Sequence, residues 1–391
     1  MSSILPPSLD VARLGQVFTP EAVVLRMLSL IRNRGRVLEP SCGDGAFARR
    51  LPGCTAIEID ARHCPPGALN QDFFAYPEGE KFATIIGNPP YVRYRDIPEA
   101  TRARLTADHL DGRSNLYLFF IEKCLRHLRP GGELIFITPR DFLKATSAVR
   151  LNRLLFAGGT ITDFIELGDA RIFEGATPNC AIWRFALGDF SRRTRYEAGG
   201  AVEERHFLLA GGHLAFTRTD CSVPLADLFS VKVGAVSGAD DIFASDKHGT
   251  MDFVCSRTAT TGETRRMIFQ TPHPALLPHK KRLLARRIRR FDEKTWWQWG
   301  RLHPLSDRPR LYVNCKTRSP RPFFLHPCNN FDGAILALFP HDEGANLEEL
   351  CAMLNAVDWA ELGFVCDGRY LFAQRSLQQA LLPEIFRRHA G

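Results

Sequence analysis

The sequence predicts an α/β fold, a doubly wound parallel sheet in its first half, followed by an irregular α+β half. Three observations carry this. From about residue 22, helix-patterned and strand-patterned segments alternate. Glycine turns and a proline-stiffened loop fall just after the strands. Beyond about residue 215 the alternation gives way to dense Pro, Arg and aromatic residues.

The elements follow in order. "EAVVLRMLSLIRNRG" spaces its apolar residues as a helix does and ends in glycine, and "RVLEP" follows as a short strand. "TAIEID" and "FATIIGNPP" are the next strands. "LYLFFIEKCLRHLRPGG" is an amphipathic helix with a Pro-Gly-Gly stop, and "ELIFITP" is again a strand. Such alternation implies a parallel sheet with helices on both faces, and ligands sit at the carboxyl ends of its strands. "DFIELG" and "CAIWRFAL" continue the strands, and the polar, Gly-rich "GDFSRRTRYEAGG" reads as the start of a connector. The expected domains are residues 1–215 and 216–391. No internal repeat is found.

A chain of 391 residues exceeds one typical domain. Hydrophobic content of 45% and charged content of 24% are those of a soluble globular protein. The net charge of +8 makes a polyanion a candidate partner, although basicity alone is a weak signal. Eleven cysteines, with no CxxC pair and no zinc-ligand spacing, read as reduced core thiols, and no metal is expected. "MSSILPPSLDVARLGQ" lacks a leader pattern and no run of 18 apolar residues occurs, so a cytoplasmic, soluble protein is expected.

"RVLEPSCGDGAF" places Gly43 and Gly45 directly after a strand and before a predicted helix, where backbone can approach a ligand closely. By itself this pattern reads as a tight turn. Glu58, ending the next strand in "AIEID", strengthens it, because a carboxylate there can accept hydrogen bonds from both hydroxyls of a ribose. No phosphate-binding lysine follows the glycines, which sets aside a P-loop. Glu39 adds a second carboxylate that suits an ammonium and a sulfonium better than a pyrophosphate, and S-adenosylmethionine has both. In "NQDFF", Asp72 reads as acceptor for an exocyclic amine and Phe73 as cover for an adenine, or else as a solvated aspartate beside a core phenylalanine.

The most informative stretch is "TIIGNPPYVRY", residues 84–94. Proline fixes its own φ and restricts the residue before it, so Asn88 and Tyr91 are held with little freedom around Pro89 and Pro90. A nucleobase amine is a poor nucleophile because its lone pair is delocalised. An Asn88 side-chain oxygen and a Pro89 carbonyl that accept its hydrogens would push that lone pair outward, so that catalysis rests on positioning and electrostatics. Tyr91 would stack on the base, and a base paired in duplex must be flipped to reach such a pocket.

With these motifs the chain resembles the N6-adenine DNA methyltransferases of the gamma class, the TaqI/Eco57I-type modification methylases, most specifically over residues 15–145. The resemblance implies a Rossmann-like S-adenosylmethionine-dependent methyltransferase fold and a C-terminal target-recognition domain. It implies that Thr19 and Pro20 of "GQVFTP" close over the methionine end of the cofactor, with Glu39, Cys42 and Gly43 of "LEPSCGDGAF" against the same part. Glu58 matches the ribose-binding acid, Asp72 and Phe73 the adenine-binding pair, and Asn88 to Tyr91 the catalytic loop. Asn115, Leu116 and Tyr117 would open the helix bordering the cofactor. Phe185 of "NCAIWRF" is the nearest match to a second aromatic closing the other face of the flipped base, with Trp183 a competitor and a core role an equal alternative. "VKVGAVSGADDIF" and "DGRYLFAQRS" resemble segments of the recognition domain.

In the second half, "HKKRLLARRIRR" carries seven Lys or Arg over residues 279–290. It reads as a solvated face or, beside a base-flipping site, as phosphate contacts from Arg282, Arg286, Arg287, Arg289 and Arg290. Asn314, Lys316, Arg318 and Arg321 are unranked candidates for reading bases. Trp296, Trp297 and Trp299 read as core. The expected function is N6-adenine methylation of double-stranded DNA by a monomer, in a restriction-modification system with a separate endonuclease, near the nucleoid of a bacterial or archaeal cell. The same motif chemistry also fits N4 of cytosine, an RNA base or a protein glutamine, and a silent DNA-binding protein is the alternative outside catalysis.

Overall fold

The computed structural model describes residues 18–110, 112–167, 179–303, 306–366 and 368–390. Gly15 to Val17 of "GQVFTP" and Asp367 of "DGRYLFAQRS" lie outside the described residues, as does the N-terminal stretch read for a leader. The chain divides into two compact units between Thr219 and Asp220.

The first unit is built on a ten-stranded sheet: β1 (Val37–Glu39), β2 (Thr55–Glu58), β3 (Leu69–Asn70), β4 (Phe82–Gly87), β5 (Leu128–Pro139), β6 (Gly159–Glu166), β7 (Cys180–Leu187), β8 (Arg193–Ala198), β9 (Ala201–Ala210) and β10 (His213–Thr217). Their order across the sheet is β3-β2-β1-β4-β5-β7-β6-β8-β9-β10. Strands β1 to β5 pair in parallel, while β7 runs antiparallel between β5 and β6. This is a Rossmann-like doubly wound sheet, and its order reverses between β1 and β4. Two details differ from the sequence reading. The stretch read as a connector from Gly188 holds β8, which pairs with both β6 and β9 and extends the sheet. The helix expected after Gly45 is only a 3₁₀ turn, Ala48–Arg50.

Alternation along the strands sorts side chains onto two faces. Ile85, Leu134 and Phe136 pack on one face with helix α2 (Leu116–His127) and helix α3 (Val149–Gly158). Ile86, Ile135 and Ile137 pack on the other, with Val24 and Met27 of helix α1 (Glu21–Leu28). Helix α1 starts after Pro20, whose fixed φ and free carbonyl suit a helix entry, and that carbonyl accepts from Val23 and Val24 N–H. Asn115 caps α2, its side chain accepting from Tyr117 N–H. At the far end of the sheet the buried Glu133 accepts from Arg184 Nε (2.7 Å), Thr84 Oγ1 (2.8 Å) and the backbone N–H of Arg32 and Asn33, so the charge is paired and its lone pairs are filled.

The second unit consists of small sheets. Strands β11 (Cys221–Pro224) and β21 (Leu381–Pro383) pair, and β12 (Phe229–Val233), β18 (Ile335–Pro340), β15 (Leu311–Asn314) and β17 (Phe323–Phe324) form an antiparallel sheet in that order. β13 (Met251–Phe253) pairs with β14 (Arg265–Met267), and β16 (Lys316–Thr317) with β20 (Arg369–Leu371), which also pairs β19 (Val365–Cys366). Helix α4 (Leu347–Ala356) packs its Leu350 and Leu354 into a core with Trp359, Phe323 and Phe372. Trp296 and Trp299 lie in a second core with Phe243 and Phe253, as read from the sequence. No helix among the described residues is long and apolar enough to cross a membrane.

Candidate active site at the switch point of the sheet

Where the strand order reverses, the loops leaving β1 and β4 diverge and leave a crevice between them. Both loops are the distinctive ones of the sequence. After β1 come Pro40 to Gly45, with Gly43 at φ 52° and Gly45 at φ 82°, conformations that favour glycine. After β4 come Asn88 to Tyr91. A hydrogen bond from Ser41 Oγ to the Asn88 carbonyl (3.2 Å) ties the two loops together. The cleft between them, about 810 Å³ counted to its open mouth, is lined by residues of these loops and of the ends of β2 and β3.

Of the residues singled out in sequence, Gly43, Glu58, Asp72, Phe73, Asn88 and Pro90 line this one cleft. Glu58 is held by two backbone donors, Gly43 N–H to Oε2 and Asp60 N–H to Oε1, both at 2.8 Å. A carboxylate offers about four lone-pair positions, so acceptor capacity remains for hydroxyl donors. Asp72 accepts from Phe74 N–H on one oxygen and from Thr101 Oγ1 on the other, both at 2.9 Å. Phe73 starts the 3₁₀ helix Phe73–Ala75 and packs on Phe120 with ring centres 5.2 Å apart. Lys123, buried on α2, donates to the carbonyls of Phe74 (3.0 Å) and Tyr76 (2.9 Å) and so fixes that turn. Burial lowers its pKa from the usual lysine value.

Of the catalytic-loop candidates, Asn88 and Pro90 line the cleft, whereas Pro89 and Tyr91 are not among its lining residues and Tyr91 packs against the core clusters. Asn88 Nδ2 donates to Thr19 Oγ1 at 3.3 Å, which orients the amide. Pro89 is buried beneath the loop. The Tyr91 hydroxyl donates to the Ile137 carbonyl (2.8 Å), and its ring meets Tyr117 edge-on at 5.9 Å. Burial first, then the neighbouring Cys180, pushes its phenol pKa well above the ordinary value, so it stays neutral.

Glu39, Cys42, Thr19, Pro20 and Phe185, also expected at the site, are not among the residues that line the cleft. Glu39 does not reach the cleft wall. It is 1% exposed and accepts from Ala48 N–H (2.8 Å), and burial with a contribution from Asp44 pushes its pKa up to about 8, which favours the protonated form. Cys42 is likewise buried, its thiol pKa raised by desolvation, and its backbone shapes the turn, the N–H donating to the Ile57 carbonyl and the carbonyl accepting from Gly45 N–H. Thr19 contacts Asn88, and Pro20 serves the start of α1. Phe185 is the clearest correction. It pairs with Leu134 on β5 and Ile161 on β6, five residues along the antiparallel strand from its start at Cys180, is 0% exposed and does not line the cleft. Its ring fills the space over Gly159, where an added Cβ would approach Phe185 Cζ at 2.9 Å. The strand end nearest the cleft is Cys180, whose Sγ lies 3.9 Å from the Tyr91 hydroxyl. Residues 168–178 precede it and lie outside the described residues; their sequence contains the aromatic Phe173.

Sequence reasoning missed Phe18, Ile59, His63, Thr101 and Phe120 in the cleft wall. Ile59 carried a signal: an apolar residue one step past a strand-ending acid, and it is 44% exposed. Leu116 and Phe120, four apart on α2, share the face turned to the cleft.

In the second unit the five arginines of the basic run separate. Arg282 makes a two-pronged ion pair with Asp241 (2.7 and 3.0 Å). Arg287, Arg289 and Arg290 are exposed. Arg286 is buried and bonded to backbone carbonyls, so it is not a phosphate contact. Asn314 is also buried, donating to the Ser256 carbonyl, which removes it as a reader of bases. No cluster of metal-ligating side chains occurs among the described residues.

A Rossmann-like sheet carries an Asn-Pro-Pro-Tyr loop at its switch point, and comparisons with known proteins add to this. Residues 63–173 match the Eco57I restriction-modification methylase family. The type II methyltransferase M.TthHB8I of Thermus thermophilus is 34% identical over 209 residues, which are 47% of this chain and 47% of that protein. M.HincII of Haemophilus influenzae is 30% identical over 188 residues, 45% of this chain and 38% of that protein. Among solved structures, the type IIL restriction-modification enzyme MmeI in complex with DNA is similar over 93% of this chain and 63% of its own, at 14% identity and a TM-score of 0.45. Over part of its length the chain is thus similar to type II methyltransferases, and the matches span 38% of M.HincII and 47% of M.TthHB8I.

Proposed function

We propose that this protein transfers a methyl group from S-adenosylmethionine to N6 of an adenine flipped out of double-stranded DNA, at a specific site, as the modification enzyme of a restriction-modification system. The observation that carries the reading is the convergence of Asn88 and Pro90 with Gly43, Glu58, Asp72 and Phe73 on one cleft at the switch point. The matches to modification methyltransferases support it.

The cleft fits the cofactor. Glu58 retains acceptor capacity for ribose hydroxyls beside the backbone of Gly43, and Asp72 for the exocyclic amine of an adenine. Ile59 and Phe73 offer apolar surface to the ring. S-adenosylmethionine, when bound, supplies an electrophilic methyl on a sulfonium. The chain's own work is then to hold the target amine. Thr19 accepts from Asn88 Nδ2 and turns the amide oxygen into the acceptor offered to the base. The Pro89 carbonyl, fixed by two successive proline rings, is the second acceptor. Two acceptors on one amine localise its lone pair for in-line attack without a strong base. Neutral Tyr91, braced by Ile137 and Tyr117, provides a ring against which the flipped base stacks.

The test is expression in a host without adenine methylation, followed by single-molecule sequencing of its genomic DNA for modified bases. N6-methyladenine confined to one short motif is expected. N4-methylcytosine would correct the base and keep the architecture. No modified DNA, with cofactor still bound by the purified protein, would overturn the DNA reading in favour of an RNA or protein acceptor.

A further inference from the structure

Arg286 stands in the middle of the most basic stretch of the chain, yet it is turned inward. Its Nε donates to the Leu283 carbonyl (2.8 Å), one Nη to the Ser237 carbonyl, and the other Nη to the carbonyls of Trp296 (2.6 Å) and Gln298 (2.8 Å). The guanidinium also lies 3.9 Å from the centre of the Phe291 ring. Four acceptors from three segments of chain take four of the fork's five N–H donors, which offsets most of the cost of burying the cation. A solvated basic face needs no such socket. Beside it Ile288, itself 42% exposed, lies against two glycines: a Cβ on Gly238 would come within 2.4 Å of Ile288 Cδ1, and one on Gly300 within 2.7 Å of its Cγ2. Gly238 belongs to the "VSGADD" stretch and Gly300 closes "WWQWG", so three separated pieces of sequence meet to seat residues 285–291.

Around this anchor the charges are unequal. Arg282 is neutralised by Asp241 and Lys280 by Glu293. Arg287, Arg289 and Arg290 are exposed, and among the described residues none of them pairs with a carboxylate. Arg289 bonds instead to the neutral Gln298 side chain (2.7 Å).

We propose that Arg286 is the positioning residue of a preformed phosphate-binding loop, residues 285–291, whose buried guanidinium sets Arg287, Arg289 and Arg290 outward together against the backbone of duplex DNA. The proposal rests on the DNA reading above and goes beyond it in dividing one basic run into an internal anchor and three contacts. Lysine keeps the charge but is a point donor that cannot fill a four-carbonyl socket.

The test measures binding of a labelled non-specific duplex by the full chain over a range of salt concentrations. Each phosphate contact contributes about 0.9 to the slope of log affinity against log salt. Replacing Arg287 and Arg290 together by Gln is expected to lower the slope by roughly 2. Arg286→Lys, which leaves net charge unchanged, is expected to lower it by a similar amount, while S-adenosylmethionine affinity stays as in the parent. Adding Arg286→Lys to the double variant is expected to cost little more. A full slope in Arg286→Lys overturns the positioning role. An unchanged slope in the Arg287/Arg290 variant, whose exposed side chains leave folding intact, overturns the phosphate-binding loop. A parent protein that binds cofactor but no duplex at all overturns the DNA reading and this proposal with it, and is distinguishable because no slope exists to compare.

Discussion

The loop at Asn88 and the loop at Arg286 are both rigid, but by opposite means. In the first, stiffness is written into adjacent residues: two prolines fix the backbone, and the remaining ties, from Ser41 and Thr19, are few. In the second, the residues of the run are nearly alike, and only carbonyls contributed from Ser237, Trp296 and Gln298 decide which arginine is anchor and which are contacts. A site built from local constraint can be read from a short stretch of sequence. A site built by distant segments cannot, because identical side chains acquire different roles from the fold around them.

The sharpest way to break this comparison is Asn88→Ala. If the amide oxygen offered by the local loop is what localises the amine lone pair, single-turnover methyl transfer should fall by about 10²–10³-fold, as when one preorganised electrostatic partner is removed. Cofactor affinity, measured by calorimetry, should stay near the parent value because Glu58 and Asp72 are untouched. Near-normal transfer would mean that the proline loop is rigid for some other purpose.

Glu39 tests whether the strand ends hold charge where sequence reasoning put it. Its pKa is raised from 4.5 to about 8, chiefly by burial. The folded state therefore binds a proton that the unfolded chain releases between about pH 4.5 and pH 8. Stability from this group is fully present below the lower value and is lost as pH rises through the upper one, on the order of 5 kcal/mol in all. Glu39→Gln keeps an acceptor for Ala48 N–H and is expected to flatten the melting temperature across that window. A pH dependence identical to the parent's would show that Glu39 is ionised in its pocket.

The second unit offers a smaller contrast between two glycines with positive φ. Gly238, at 78°, has Ile288 and Arg286 against it, whereas Gly262, at 71°, has nothing within 4 Å. Gly262→Ala should cost only backbone strain, about 1 kcal/mol, and Gly238→Ala that strain plus displacement of the arginine loop, about 2–3 kcal/mol. Equal losses in denaturant unfolding would remove the case that Gly238 is small because of its neighbour.

Much of the fold was legible for the reason the catalytic loop was. Strands β1, β2, β4 and β5 and helix α2 announce themselves through periodicity, and the glycines and prolines mark their ends. Strand β8 was hidden because "RTRYEA" is mostly polar: it alternates exposed and buried residues, but one of its two buried positions is a threonine rather than an apolar residue. The positions of Glu39 and Phe185 were hidden for another reason: both sit on strands correctly read, but residue type does not say whether a side chain at a given register faces a cleft or a core.

Phe185→Leu makes that last point measurable and carries the smallest expected effect. The ring packs in the main core of the first unit and over Gly158 and Gly159, at the end of β7 away from Asn88. A shorter apolar side chain should cost about 1–2 kcal/mol of stability. It should leave turnover below the melting transition unchanged within a factor of about two, because Phe185 is fully buried and does not line the cleft. A tenfold loss of turnover with cofactor affinity intact would return Phe185 to the base pocket. An unchanged turnover would direct the search for the second aromatic to the chain before Cys180, where β7 begins beside Tyr91.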